Sequence, residues 1–194
     1  MQPESLKARL SERGLAIVGP CEQLSRRPDL LQVSPLLRDF TPEEADLLGM
    51  AMLRVRAEPG QLLIAEGEAS DWMMILLQGT VDVGKRKVGA EQDAQEPGDT
   101  TRLAVIKEGA VLGEMSMLDG EPRYASCWAL SQVEAAVLSR TAVGELIASH
   151  PEVGAKLLVK LTQLLAQRLR NTSNQVVKML QKQAALSARD PGRA

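Results

Sequence analysis

Between residues 53 and 138 the apolar side chains come in runs too short for helices, at 53–55, 62–65, 73–77, 81–83, 103–106, 126–130 and 134–138. Turn-forming sequences separate them: Pro59-Gly60, Glu66-Gly67-Glu68, Gln78-Gly79 and Glu108-Gly109. Glycine reaches positive φ without a Cβ clash, so each of these is a natural corner between antiparallel strands. Many short strands at this spacing predict a mainly β protein, a sandwich or barrel of antiparallel strands. The polar segment 84–102, with Pro97-Gly98, is predicted to be a long and mobile hairpin loop.

Helical periodicity flanks this β region. Thr41, Pro42, Glu43 and Glu44 have the form of an N-cap, a first-turn proline and two carboxylates facing the positive end of a helix over 42–52. Beyond Ser139 a short helix is predicted at 141–148, and a second starts at Pro151 and runs without Gly or Pro from Ala155 to about Ala188. In it Leu158, Leu161, Leu165, Leu169, Thr172, Val176 and Met179 recur every three or four residues, the spacing of one apolar stripe. At 1.5 Å per residue the helix extends roughly 50 Å, longer than a small barrel is wide. A second copy of the chain is the simplest cover for the surplus, so a parallel homodimer is expected. Upstream, Gly14, Gly19, Pro20 and Pro28 break a short amphipathic stretch at 3–13. The expected organisation is an irregular N-terminal extension at 1–33, a β domain at 34–150 and a helix with tail at 151–194.

Composition narrows the function classes. A chain of 194 residues, 44% hydrophobic and 25% charged, is globular and large enough for one core plus an appendage. Aromatics are 2%, so aliphatic side chains and methionine must fill that core; Met50, Met52, Met73, Met74, Met115 and Met117 lie in apolar runs without His or Cys partners and read as packing. From residue 151 onward, eight Lys or Arg face Glu152 and Asp190, a balance of +6 that leaves −8 for the first 150 residues of a chain with net charge −2. Bulk charge therefore does not favour nucleic acid. The basic helix lacks aromatics and spreads its charges around its circumference, which suits a solvated face or an acidic protein partner. The single histidine, His150, argues against metal sites built on several imidazoles and against a catalytic triad. Cys21 and Cys127 lack metal or redox spacing and read as free thiols of a cytoplasmic protein. Neither a signal segment nor a membrane span is legible, and no catalytic or metal-binding residues are expected.

The chemistry concentrates in residues 113–126, Gly-Glu-Met-Ser-Met-Leu-Asp-Gly-Glu-Pro-Arg-Tyr-Ala-Ser. One helical turn from Glu114 would offer the amides of Met115 and Ser116 to an anion, and a turn through Gly120 and Pro122 would bring the forked donors of Arg123 near Glu114. The carboxylate accepts from hydroxyls, so an anionic group with adjacent sugar hydroxyls fits both. The same residues also suit a simpler role, with Glu114 and Arg123 as an ion pair closing a loop and Gly113 and Gly120 in tight turns.

This segment closely resembles the phosphate-binding cassette of cyclic nucleotide-binding domains, found in kinase regulatory subunits and in the catabolite activator group of bacterial regulators. The family pattern of Gly-Glu, a small apolar turn, Pro-Arg, any residue, Ala and Ser or Thr matches without a gap. Pro59-Gly60, Glu66-Gly67-Glu68, Ser70-Asp71 and Gly79 with Val81 and Val83 agree as well, and the likeness covers about residues 34–179. The resemblance implies a jelly-roll barrel with a long C-terminal dimerisation helix. It implies that Gly113 and Glu114 hold the ribose 2'-hydroxyl while Arg123 and amides near Met115 and Ser116 hold the cyclic phosphate. Tyr124 stands where the kinase pattern has Ala or Thr, and the Thr that helps cyclic GMP-selective domains read guanine is absent; Ser126 closes the motif. The run at 167–173, ending in Thr172 and Ser173, resembles the dimer helix of the catabolite activator protein, in which such a pair reaches adenine from two subunits. The alternative is a tolerated seam residue at Thr172 and a solvent-exposed Ser173.

The bacterial activators continue into a helix-turn-helix, whereas here residues 187–194 follow, with Pro191-Gly192. The expectation is a non-enzymatic cytoplasmic receptor for cyclic AMP, less favourably cyclic GMP, without specific DNA binding, which shifts its C-terminal helix and signals to an unidentified protein. A dimeric adaptor that binds no nucleotide and a receptor for a cyclic dinucleotide are the alternatives.

Overall fold

The computed structural model describes residues 6–21, 23–87 and 100–189. Nine strands form two antiparallel sheets among them. β1 (Ala16–Pro20), β2 (Leu53–Ala57), β9 (Val133–Ser139), β4 (Trp72–Gln78) and β7 (Val111–Leu112) pair in that order; β3 (Leu62–Ile64), β8 (Ser126–Ala129), β5 (Thr80–Arg86) and β6 (Thr100–Lys107) form the second sheet. The core between them is aliphatic, as the low aromatic content requires. Val55, Met74, Leu76, Ala135 and Val137 from one sheet pack with Leu63, Ile64, Val81, Cys127 and Ala129 from the other. This two-sheet arrangement with flanking helices is the architecture expected.

The corners explain the topology. Gly60, Gly67, Gly79 and Gly109 all adopt positive φ. At Gly79 a Cβ would also lie 2.3 Å from the Gln132 carbonyl oxygen, so the β4–β5 hairpin passes too close to the neighbouring loop for any side chain.

Helices flank the sheets. α1 spans Leu6–Glu12, α2 Pro28–Val33 and α3 Pro42–Met50. Thr41 caps α3 with a reciprocal box: Glu44 N donates to Thr41 Oγ1 at 3.3 Å and Thr41 N to Glu44 Oε2 at 2.8 Å. α4 is Glu114–Asp119, α5 Arg140–Ser149 and α6 Pro151–Arg189. Lys156 near the start of α6 pairs with Glu44 at 2.5 Å and holds its carboxyl below the usual range.

Two expectations change. Residues 16–20 are a strand rather than irregular chain, because a bulge between Ile17 and Gly19 absorbs the glycine while Pro20 ends the strand at the sheet edge. The expected hairpin loop at 84–102 is shorter, since Gly84 to Arg86 pair with Arg102 to Thr100. The mobile part of that expectation falls at 88–99, outside the described residues.

The chain divides into two compact units, Met1–Leu157 and Leu158–Ala194. In the second unit Leu169, Val176, Val177, Met179 and Leu180 are exposed. No helix among the described residues is long and apolar enough to cross a membrane.

Candidate functional site

Strand β7 delivers the chain to Gly113, which turns it into α4 at φ 72°. Two requirements meet at this position. The left-handed backbone favours glycine, and a Cβ would stand 2.3 Å from Nη1 of Arg123. Gly120, at φ 82°, ends α4 in the same conformation and donates its N–H to the Ser116 carbonyl at 3.0 Å.

Ten residues after Gly113 the chain returns through Arg123. Its backbone is locked to the Glu66-Gly67-Glu68 turn: Arg123 N donates to Glu68 O at 2.9 Å and Gly67 N donates to Arg123 O at 2.8 Å. The side chain then runs inward and is only 3% exposed. Nη1 donates to Gly113 O at 2.6 Å, and Nη2 donates to Ser70 Oγ at 3.0 Å and to Trp72 O at 2.6 Å. The guanidinium carbon lies 4.3 Å from the centre of the Trp72 ring, a cation–π arrangement. Nε is buried and has no hydrogen-bond partner among the described residues. Burial pulls this guanidinium down to about 10, opposed by the carboxylates of Glu68 and Glu114.

Glu114, the first residue of α4, is 2% exposed and Ser116 equally buried. The far end of the helix is fixed from outside by Arg140, whose Nε donates to Met117 O at 2.6 Å and Nη2 to Ser116 O at 2.9 Å. This arginine satisfies carbonyls that a six-residue helix leaves open.

Most of the residues expected to form the site therefore converge. Gly113, Glu114 and Ser116 form the turn into α4, the Arg123 guanidinium reaches it at Gly113 O, and Ser126 Oγ accepts from Glu66 N at 2.9 Å, tying β8 to the turn that holds Arg123. Met115 and Tyr124 are exposed. The Tyr124 ring lies under Lys85, with Nζ 3.9 Å from its centre; the same Nζ donates to Tyr124 O at 2.8 Å and pairs with Glu66 at 3.4 Å. Thr172 and Ser173 belong to the second unit, where both are exposed on α6.

Sequence reasoning overlooked four contributors. Ser70 and Trp72 grip the guanidinium, Lys85 clamps Tyr124 and Arg140 closes α4. An arginine in the first turn of α5 was a legible hint, because a cation there opposes the helix dipole and needs another reason to be present.

A buried guanidinium beside a buried carboxylate can bind an anion and accept from a hydroxyl at one place. The comparisons with known proteins agree with this chemistry. Residues 54–150 match the family model of the cyclic nucleotide-binding domain. A CRP-like cAMP-activated global transcriptional regulator of Mycobacterium tuberculosis is 30% identical over 152 residues, which are 78% of this chain and 62% of that protein. A cAMP-dependent protein kinase regulatory subunit of Yarrowia lipolytica is 27% identical over 132 residues, 68% of this chain and 32% of the relative. The chain thus spans 62% of the first of these curated relatives and 32% of the second. The solved cyclic nucleotide-binding domain from Methylobacillus flagellatus superposes with a TM-score of 0.72 at 31% identity, over 85% of this chain and 89% of that one. Fold, cassette and relatives agree, and the chain belongs to the cyclic nucleotide-binding domain family.

Proposed function

We propose that this chain is a cytoplasmic cyclic nucleotide receptor that prefers cyclic AMP to cyclic GMP and signals to another protein through a change in the position of α6. The observation that carries the reading is the state of Arg123. It is a buried cation whose side-chain hydrogen bonds among the described residues go to the neutral acceptors Gly113 O, Ser70 Oγ and Trp72 O, and whose Nε has no partner among those residues. Burying a charge is costly unless an opposite charge accompanies it. A cyclic phosphate supplies that charge. Glu114, on the next residue after Gly113, is then the acceptor for the ribose 2'-hydroxyl, while the amides near Met115 and Ser116 complete the phosphate contacts.

Base preference rests on Thr172 and Ser173. Neighbours on a helix point about 100° apart, so the pair serves two sites across a homodimer formed along α6. Tyr124 at the position of the guanine-reading Thr agrees with an adenine preference. The shift of α6 follows because contacts made only in the bound arrangement move the population toward it. Specific DNA binding by this chain is not expected, since its first 150 residues carry −8.

Calorimetric titration of Arg123→Ala tests the assignment. A charge-assisted contact of about 2–3 kcal/mol corresponds to roughly 30- to 150-fold in affinity. Glu114→Ala is expected to lose less, because its partner is neutral. A folded Arg123→Ala protein with unchanged affinity removes Arg123 as the anchor.

A further inference from the structure

Two ion pairs join the N-terminal segment to the chain that grips Arg123. Arg9 on α1 pairs with Asp71 at 2.6 Å, and Arg13, just beyond α1, pairs closely with Glu68. The segment is seated rather than loosely attached, since Leu10 and Leu15 are buried in the core and Gln61 Nε2 donates to Arg13 O at 3.3 Å. Residues 67–72 therefore have two neighbours. On one side their backbone, Ser70 and Trp72 hold Arg123; on the other, their carboxylates hold α1 and Arg13.

Resting on the receptor reading above, we infer that Arg13, supported by Arg9, is a positioning residue for the anchor guanidinium: it keeps the Glu68 carboxylate engaged and away from Arg123. Among the described residues Arg123 has a buried Nε without a partner and only neutral acceptors elsewhere. An anionic acceptor forms bonds about twice as strong as a neutral one. Glu68 is the candidate, because its own carbonyl already accepts from Arg123 N, and it is the carboxylate that most favours the charged form of Arg123, with Arg13 acting in the opposite sense. Freed of Arg13, Glu68 becomes an internal competitor for the phosphate. A purely structural staple explains this placement less well. Ion pairs with side chains 18–40% exposed add little by themselves, whereas these two fall on the residues around the guanidinium.

The test uses the full chain and cyclic AMP. Arg13→Ala is expected to weaken binding about tenfold, Arg13→Lys to retain it within about threefold, and Arg13→Ala with Glu68→Gln to recover to within about threefold of the unmodified protein. A second measurement needs no nucleotide: the Arg123 Nε–H resonance should move in Arg13→Ala and return in the double variant. A resonance that stays in place in folded Arg13→Ala, or an affinity loss that the Glu68→Gln change leaves intact, overturns the inference. If the resonance moves and returns while no protein, unmodified included, binds cyclic AMP or cyclic GMP, the positioning of Arg123 stands and the receptor reading fails.

Discussion

The Arg123 guanidinium lies over the Trp72 ring at 4.3 Å and donates to the carbonyl of that same residue at 2.6 Å. One residue of β4 thus provides both a π face and an acceptor for the cassette arginine. Lysine cannot reproduce the planar fork that uses both. Arg123→Lys is expected to bind cyclic AMP at least about tenfold more weakly despite keeping the charge. Titration of the folded variant checks this, and an affinity within twofold of the unmodified protein contradicts it.

Gly113→Ala should damage stability and binding together. A left-handed backbone costs a residue with a Cβ about 1–2 kcal/mol, and the added atom would press on Nη1 from 2.3 Å. Denaturant unfolding and nucleotide titration of the same preparation test the pair of effects. A variant that loses stability but binds normally would show that Arg123 moves aside without consequence.

Arg140→Ala removes two donors from the end of α4. The expected loss is about 1–2 kcal/mol in unfolding free energy, with increased hydrogen exchange at residues 114–119. Unchanged protection there would show that Gly120 alone suffices as the cap.

The cassette arginine also sets a pH expectation. Burial lowers its folded value to about 10, below the ordinary guanidinium range, so the cost of burying the cation is fully present below about pH 10 and is relieved only as pH rises above it. Through pH 6–9 the group stays charged. The ratio of affinities between the unmodified protein and Arg123→Ala should therefore be constant over that range, and a ratio that collapses between pH 6 and 9 contradicts the assignment.

Much of this was legible in the residues because the signals were local. Each apolar run between glycine corners became a strand, and the Thr41 box, with its proline and two glutamates, capped a helix where expected. The exceptions have physical causes. β1 was obscured because Gly19 and Pro20 are breakers unless a bulge and a sheet edge accommodate them. β6 was trimmed at its start because it is an edge strand with exposed side chains, so Thr100 to Arg102 carry no apolar alternation. Within the site, Gly113, Glu114 and Arg123 were readable from a contiguous motif. Ser70 and Trp72 reach it from the loop before β4 and the start of that strand, Arg140 from α5, and the pairing of Arg13 with Glu68 spans 55 residues, a distance over which spacing carries no information.

Dimerisation has a direct prediction. Leu169 is 69% exposed, so Leu169→Glu disturbs little of the chain's own packing but would place a charge in a helix seam. Sedimentation should show the unmodified protein as a dimer at micromolar concentration and the variant as a monomer. A monomeric unmodified protein, with and without nucleotide, defeats the seam.

In the proposed receptor a cyclic nucleotide binds at Arg123, with adenine preferred. Competitive titration of the unmodified protein with cyclic AMP and cyclic GMP, repeated for Thr172→Ala and Ser173→Ala, tests it most directly. Saturable binding is expected, with displacement of cyclic AMP by cyclic GMP only at higher concentration and a loss of about 0.5–2 kcal/mol for cyclic AMP in each helix variant with less for cyclic GMP. Absence of saturable binding, or displacement by cyclic GMP at equal or lower concentration, contradicts it.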